Sequence, residues 1–244
     1  MRRVIIIGAS SGIGHALAVH YASEGCKVAG AARREEKLLQ LKEMYPQNID
    51  YSVIDVTAAD APEQFNSLVA LNGGADLVVY CSGAGNNSKE LQLEVEGKTA
   101  AVNVTGFLNV VVPAFNYFVG REEKSGYKPQ IVTISSVASF RGLGVSPAYS
   151  ATKRFQSIYF EALAQMSSTR RVPIDFTAIK PGFIATDFIK HKYFMTMELP
   201  YAVKRIIRAI EKRKNNAVID WRWKIAVGLL HLIPTSIWRK IRIR

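Results

Sequence analysis

Apolar, β-branched runs alternate along the 244-residue chain with longer stretches of helical periodicity. Runs such as Leu77 to Val79 and Ile131 to Ile134 lack the polar alternation of a half-exposed strand, which indicates strands covered on both faces of a parallel sheet. We predict strands at 4–7, 27–32, 50–55, 75–81, 130–136, 172–180 and 216–220. We predict helices at 12–24, 34–45, 60–72, 91–119, 147–170 and 198–214.

This alternation of strand and helix is typical of an α/β fold, a doubly wound parallel sheet with helices on both faces. No linker, repeat or low-complexity stretch divides the chain, so we expect residues 1–244 to form one domain, with 221–244 as a basic C-terminal extension. Two prolines qualify the helices. Pro113 predicts a kink inside 91–119, whereas Pro147 suits a first helical turn.

A glycine-rich turn, G-x-x-x-G-x-G, follows the first strand and opens the first helix. Gly8 suits a tight turn, Gly12 lets a backbone approach a pyrophosphate, and Gly14 permits close packing. The helix N-terminus adds N–H donors and positive dipole. The turn therefore predicts dinucleotide binding, with a purely structural turn as the alternative. The predicted contacts are Gly8, Ser10, Ser11, Gly12, Ile13 and Gly14.

The second strand ends at Arg33 and Arg34, where an acidic residue would accept bonds from the ribose of NAD. Two arginines at this place favour the 2′-phosphate of NADP(H). We expect Arg33 to make the direct contact. The alternative is that both arginines are solvated at a helix start.

Tyr149 and Lys153 are spaced i and i+4, which places them on one helical face. A neighbouring ammonium lowers the pKa of a phenol, so that tyrosine can exchange a proton with a substrate oxygen. Ser136 ends the fifth strand 13 residues before Tyr149, and its hydroxyl can hold that oxygen. Ser135 would point to the opposite face. The alternative is an amphipathic helix with a core tyrosine and a solvated lysine.

The turn, the serine and the Tyr–Lys pair together resemble the short-chain dehydrogenase/reductase family, classical type, over about residues 4–190. The resemblance implies a Rossmann-like seven-stranded sheet in the order 3-2-1-4-5-6-7. It also implies the catalytic set Asn103, Ser136, Tyr149 and Lys153, in which Asn103 supports a water linked to the lysine. Further implied cofactor contacts are Asp55, Val56, Ser82, Gly83, Tyr149, Lys153, Pro181, Gly182, Ile184 and Thr186.

Two departures from the family pattern are visible. Ile7 stands where the family has threonine before the first glycine. That threonine has an accessory structural role, so its absence weakens the resemblance little. Tyr80-Cys81-Ser82-Gly83 stands where the family has N-N-A-G. The loss of both asparagines is expected to change the local hydrogen bonding.

The function implied by these residues is NADP(H)-dependent oxidoreduction, with reduction of a carbonyl favoured. NADPH gives a hydride, Tyr149 gives a proton, and Ser136 orients the oxygen. Lys153 binds the nicotinamide ribose and lowers the pKa of Tyr149. An NAD-dependent alcohol dehydrogenase is the main alternative, and a non-catalytic sensor of NADP(H) is the other.

The segment after P-G-x-x-x-T, residues 188–197, is expected to line the substrate site. Its aromatic and methionine side chains, with Phe140, Leu143 and Phe183, favour a lipid-like, steroid-like or aromatic carbonyl. Ordinary packing of a lid is the alternative. Lys190, His191 and Lys192 would instead meet an acidic group or water.

The net charge of +12 is concentrated in the last part of the chain. Residues 1–203 carry 20 basic and 18 acidic groups, whereas residues 204–244 carry 12 and two. This distribution argues against a nucleic-acid groove. The tryptophans and cations of 221–244 suit peripheral membrane contact, packing on the body or on a partner subunit, or an unstructured tail.

The cysteine content and the start of the chain bear on location. Cys26 and Cys81 make neither a disulfide framework nor, with four scattered histidines, a metal site. The first apolar run is too short for a signal peptide, so we expect a cytoplasmic protein. The family resemblance implies a homodimer or homotetramer built on the helices near 91–119 and 147–170.

Overall fold

Seven parallel strands form one sheet in the computed structural model, which describes residues 1–85, 90–121, 126–186 and 193–242. The strands are β1 (Arg3–Ile7), β2 (Lys27–Ala32), β3 (Ile49–Val53), β4 (Leu77–Tyr80), β5 (Gln130–Ile134), β6 (Asp175–Lys180) and β7 (Asn216–Val218). Their order is β3-β2-β1-β4-β5-β6-β7, which confirms the predicted fold class. The sixth strand begins three residues later than predicted because residues 171–174 continue the turn that ends the preceding helix.

Helices connect the strands and cover both faces of the sheet. They are α1 (Gly12–Ser23), α2 (Glu35–Met44), α3 (Ala61–Leu71), α4 (Leu93–Ala100), α5 (Gly106–Val119), α6 (Pro147–Thr169), α7 (Leu199–Glu211), α8 (Trp221–Leu232) and α9 (Thr235–Trp238). Pro147 occupies the first turn of α6, as predicted.

Successive side chains of each strand point to opposite faces of the sheet, and helices cover both faces. Val4 and Ile6 pack with one hydrophobic cluster, which includes residues of α1, α2 and α7. Ile5 and Ile7 pack with a second cluster, which includes residues of α3, α5 and α6. All four side chains are fully buried. The unbroken apolar strands of the sequence therefore have their explanation in a two-sided core.

The predicted helix at 91–119 is divided into α4 and α5 by a π-helical turn, Ala101–Thr105. Helix α5 continues through Pro113, so the interruption lies before the proline at which a kink was expected. The stretch Leu93–Val119 is long and apolar enough to cross a membrane. Its buried residues, among them Phe107 and Val110, instead belong to the core cluster on one face of the sheet.

Candidate active site

The glycine-rich turn packs so tightly that side chains are excluded at two of its positions. A Cβ on Gly8, which has a φ of +93°, would lie 2.7 Å from the backbone nitrogen of Ser82. A Cβ on Gly14 would lie 2.1 Å from the carbonyl oxygen of Gly8. The first turn of α1 is thereby held against β1 and the segment after β4, while Ile13 packs on the core.

The N-terminus of α1 has the properties of an anion site. Ser11 is its N-cap residue but makes no side-chain capping bond, so this side chain leaves the first N–H groups of the helix uncapped. Thr186 closes the opposite side, since its Cγ2 lies 3.5 Å from a Cβ built on Gly12. A phosphate-sized group between these elements would meet N–H and hydroxyl donors, which fits a nucleotide pyrophosphate.

Arg34, rather than Arg33, contacts the turn. Its guanidinium donates to Ser10 Oγ over 2.9 Å and to Ser11 Oγ over 2.7 Å. Arg33 instead faces Asp55, whose pKa is lowered first by bonds from Thr57 and then by this arginine. The contact of Arg33 with a 2′-phosphate stays a prediction, and Arg34 is a second cation beside the turn.

Asp55 and Val56 follow β3 beside this end of the sheet. Both the N–H and the hydroxyl of Thr57 donate to Asp55 Oδ1, over 2.9 and 2.8 Å. Val56 is buried, and its carbonyl accepts a bond from Asn109 of α5. The pair is therefore fixed in place, as a wall for a bound group requires.

Ser136 and Tyr149 meet at the end of β5. Ser136 caps a single 3-10 turn, Val137–Phe140, by accepting a bond from the N–H of Ala138. Its side chain is also hydrogen-bonded to Tyr149. Ser135 points the other way, as predicted, and donates to the backbone oxygen of Lys153 over 3.0 Å.

Lys153 lies buried behind this pair, with 3% of its surface exposed. Its ammonium donates to the carbonyl of Ile134 over 2.9 Å and to Gln156 Oε1 over 3.2 Å. Burial lowers the pKa of Lys153 from 10.5 to about 8, which a nearby Cys81 thiolate would partly oppose. The lysine is thus charged at neutral pH, but it loses its proton at a pH only slightly higher.

The expected lowering of the Tyr149 pKa by Lys153 is not found. Burial raises the pKa of Tyr149, and the bond with Ser136 offsets only part of this. The ammonium lies 5.8 Å from the centre of the phenol ring and donates to Ile134 and Gln156 instead. At neutral pH the side chain is therefore a protonated phenol, which is the form of an acid.

Asn103 lies in the π-helical turn and is fully buried. Its amide donates to the carbonyl of Ala84 over 2.7 Å and to Thr152 Oγ1 over 3.0 Å, and its Oδ1 accepts from the N–H of Ala84. Its backbone oxygen accepts from Gln156 Nε2 over 3.0 Å. Gln156 therefore links Lys153 directly to the backbone of Asn103. The water that the family resemblance implies beside Asn103 stays a prediction.

Sequence reasoning missed Gln156, although its position three residues after Lys153 places it on the same helical face. It also missed Gly85, where a Cβ would lie 2.3 Å from Tyr149 Cδ2. Gly83 lies close by, since its Cβ would be 3.4 Å from the Lys153 ammonium. The segment after β4 thus passes directly over the Tyr–Lys pair, and it excludes a side chain at Gly85.

The replacement of the family asparagine by Tyr80 has a structural consequence. Tyr80 is fully buried, and its hydroxyl donates to the carbonyl of Val102 over 2.7 Å. That carbonyl belongs to the π-helical turn which carries Asn103. The tyrosine therefore supports the turn from the sheet side. Cys81 next to it has its pKa raised to about 12 by burial, so it is a neutral thiol.

The expected substrate wall is aromatic where the structure describes it. Phe183 stacks on Tyr193, with ring centres 4.4 Å apart, and meets the edge of Trp223 at 5.7 Å. Backbone bonds tie Met197 to Phe183 and Ala185, which returns the chain to the P-G-x-x-x-T segment. The predicted wall residues Phe188, Ile189, Lys190, His191 and Lys192 lie outside the described residues.

The C-terminal extension packs on two segments of the site. The Trp223 indole covers Gly182, where a Cβ would lie 2.0 Å from Nε1. Arg141, five residues after Ser136, donates to the carbonyls of Leu230 and Ile233 at the end of α8. Trp238 donates to the carbonyl of Gly142 over 2.9 Å. Of the three arrangements considered for the tail, packing on the body is therefore observed.

Comparisons with known proteins agree with this geometry. The family model described as short chain dehydrogenase matches residues 2–195. An uncharacterized oxidoreductase of Myxococcus xanthus is 34% identical over 97% of this chain and 94% of its own length. A glucose 1-dehydrogenase of Gluconobacter oxydans is 30% identical over 76% of this chain and 70% of its own.

A solved structure shows the same fold. It is a short chain dehydrogenase from Burkholderia cenocepacia in complex with NADP, with a TM-score of 0.82 and 17% identity, and the match covers 100% of this chain and 98% of that one. With a seven-stranded sheet of the expected order and a family model that matches most of its length, the chain belongs to the short-chain dehydrogenase family of oxidoreductases, which use nicotinamide cofactors.

Proposed function

We propose that this protein is an NADPH-dependent carbonyl reductase that acts on an apolar ketone or aldehyde, or on the corresponding secondary alcohol in reverse. The observation that carries the proposal is the hydrogen bond between Ser136 and Tyr149, with the Lys153 ammonium buried behind them. Two hydroxyls at one point can hold a carbonyl oxygen, and one of them is a phenol that can protonate it.

When bound, NADPH supplies the hydride that the chain itself cannot provide. Ser136 orients the substrate oxygen, and Tyr149 donates a proton to it as negative charge develops. Burial raises the pKa of Tyr149, so the phenol is protonated at neutral pH, as a proton donor to the substrate oxygen must be. In this proposal Lys153 binds the ribose and, with Asn103 and Gln156, helps to return a proton to the phenol.

The proposed preference for NADPH rests on the two arginines that follow β2. Arg34 bonds Ser10 and Ser11 at the turn, and Arg33 stands beside Asp55, so two cations follow β2, where the sequence predicts the 2′-phosphate contact. The NADP found in the Burkholderia protein is consistent with this assignment. An apolar substrate is supported by the aromatic group of Phe183, Tyr193 and Trp223.

The test is consumption of NADPH with a panel of apolar aldehydes and ketones, repeated with NADH. We expect NADPH turnover by the wild type, and none by Tyr149→Phe with NADPH binding retained. Turnover with NADH and alcohols alone would favour the NAD-dependent alcohol dehydrogenase. Undiminished turnover by Tyr149→Phe would refute the role of the phenol, and tight NADPH binding without turnover on any substrate would favour a sensor.

A further inference from the structure

Helix α8 carries large apolar side chains on two sides, towards the body and away from it. Its inner side packs on the body through Trp223 and the buried Val227. Its outer side carries Trp221, Ile225 and Leu229, spaced four residues apart, and these side chains are 56–60% exposed. A helix at the surface of a globular protein normally turns its apolar side to the core and polar side chains outward. The outer side of α8 is therefore a surface suited to a partner.

The apolar surface extends beyond these three residues. Leu232 is 78% exposed and lies on the same helical face, 11 residues after Trp221. Ile237 of α9 and Ile241 after it are also exposed. Single exposed leucines are normal on a protein surface, whereas a stripe along one helix marks an interaction site. We call Trp221, Ile225, Leu229 and Leu232 the outer stripe.

Charge next to the outer stripe identifies the class of partner. Residues 221–244 contain six lysines and arginines and no acidic residue. Lys224 on α8 is exposed beside the stripe, and so are Arg239, Lys240 and Arg242 after α9. The tail thus combines an exposed tryptophan, aliphatic side chains and cations, which are the groups that bind the interface of anionic membranes.

A second copy of this chain fits the surface less well. Arg222 is paired with Asp220, just before the tail. A twofold contact brings the same surface of each copy together, and the exposed Lys224, Arg239, Lys240 and Arg242 of each tail would then lie near one another without acidic residues in 221–244 to offset them. An anionic bilayer instead attracts every cation near it, by about 1 kcal/mol for each. The expected homodimer or homotetramer uses other helices and stays a separate prediction.

We propose that the outer stripe of α8 docks the protein on the surface of an anionic lipid bilayer. The packing of the inner side supports this orientation, because Arg141 and Trp223 hold α8 against the body while the stripe faces outward. The helix lies in the interface and does not span it, since its 12 residues are too few. Because α8 also covers Gly182, docking places the predicted substrate end of the site close to the lipid.

The experiment is sedimentation of the full chain with vesicles of phosphatidylcholine alone and of phosphatidylcholine mixed with phosphatidylserine. The test variant is Ile225→Gln with Leu229→Gln. The matched control is Leu39→Gln with Leu71→Gln, which changes two leucines that are also about half exposed, on α2 and α3. Thermal melting of both variants verifies that each folds.

We expect the wild type and the control to bind the mixed vesicles, and the test variant to bind them at least about tenfold more weakly. Raising the salt from about 0.1 to about 1 M should weaken binding, as the screening length falls from about 10 to 3 Å. Vesicles should also shift the tryptophan emission of the wild type to shorter wavelength, and Trp221→Phe should lose most of this shift.

Three results would overturn the proposal. They are failure of the wild type to bind the mixed vesicles, equal binding by the test variant, and equal binding to vesicles without phosphatidylserine. A wild-type dimer that the test variant loses, together with no vesicle binding, would assign the stripe to a second copy. None of these measurements depends on the reductase activity, so the two proposals fail independently.

Discussion

Gln156 joins the Lys153 ammonium to the backbone oxygen of Asn103, accepting from the first over 3.2 Å and donating to the second over 3.0 Å. All three residues are buried, so neither end of the bridge is easily replaced by bulk water. The amide thus holds the lysine towards the carbonyl of Ile134 and supports the π-helical turn at the same time. This makes Gln156 a positioning residue for Lys153.

Gln156→Leu and Gln156→Glu are expected to change the pH profile of turnover in opposite directions. Leucine removes a dipole that stabilises the ammonium, so the pKa of Lys153 falls further. If turnover needs the charged lysine, the alkaline limb of the pH profile of kcat then moves to lower pH. Glutamate places a negative charge beside the ammonium, so the limb moves to higher pH. A hydrogen bond to a charged group is worth about 1.5–3 kcal/mol, which corresponds to a shift of roughly one to two pH units.

The control for Gln156 is Gln165→Leu, which changes an exposed glutamine of the same helix. A purely structural role would lower the melting temperature of both Gln156 variants and leave the alkaline limb in place. The profile of kcat, measured with saturating substrate and cofactor, therefore distinguishes positioning from packing.

Lys153→Met is expected to change how stability depends on pH. Lysine binds its proton up to about pH 10.5 in the unfolded chain but only up to about pH 8 in the folded protein. The unfolded state thus holds more protons between these values, so this lysine makes the wild type more stable as pH rises through the window. Below pH 8 the full cost of burying the charge is present.

The difference in unfolding free energy between Lys153→Met and the wild type should therefore change by about 3 kcal/mol between pH 8 and 10.5, with the variant favoured most at the lower pH. Urea unfolding without cofactor, repeated across this range, measures it. Loss of the bonds to Ile134 and Gln156 lowers the unfolding free energy of the variant by a similar amount at every pH, so it does not alter this trend. Parallel curves would contradict the shifted pKa.

Much of the fold and of the site follows from local signals in the sequence. The apolar strands and the turn at Gly8 to Gly14 determine a parallel sheet whose carboxyl ends share one edge, and the spacing of Ser136, Tyr149 and Lys153 places them there. The pKa of Tyr149 could not be predicted in the same way. Spacing shows that a lysine is near, but burial and the direction of the ammonium decide the outcome.

The features that sequence reasoning missed depend on contacts between distant segments. Arg141 reaches a carbonyl 89 residues away at Leu230, and Trp223 covers a glycine in a different motif. Neither contact has a fixed spacing that would predict it. Spacing also does not decide between Arg33, which the sequence analysis favours for the phosphate contact, and Arg34, because neighbouring residues at the end of a strand point to opposite sides.

Arg34→Ala is expected to raise the KM for NADPH by roughly 10–100-fold and to leave the KM for NADH nearly unchanged, since a bond to a charged group contributes about 1.5–3 kcal/mol. Arg33→Ala is the matched comparison. Arg33 faces Asp55, so we expect its loss to raise the KM for NADPH less than the loss of Arg34 does. Steady-state kinetics with both cofactors measure this. A larger effect of Arg33→Ala would return the phosphate contact to that residue, and equal effects on both cofactors would argue against a 2′-phosphate site.

Gly182→Ala is expected to displace α8 from the body. The added methyl would lie 2.0 Å from Trp223 Nε1, so either the indole or the P-G-x-x-x-T segment must move. Forcing a methyl into a packed contact costs about 1–3 kcal/mol. Thermal melting should show the loss of stability, and limited proteolysis should show faster cleavage within 221–242.

Gly97→Ala is the control for Gly182→Ala, because a Cβ at this position of α4 meets nothing within 4 Å. Alanine should stabilise that helix by about 1 kcal/mol. Combining Gly182→Ala with Trp223→Ala tests the contact itself. If the methyl acts by displacing the indole, the second change leaves nothing to displace, and the combined loss of stability is smaller than the sum of the single losses. Additive losses would show that Gly182 is required for another reason, such as the path of its own backbone.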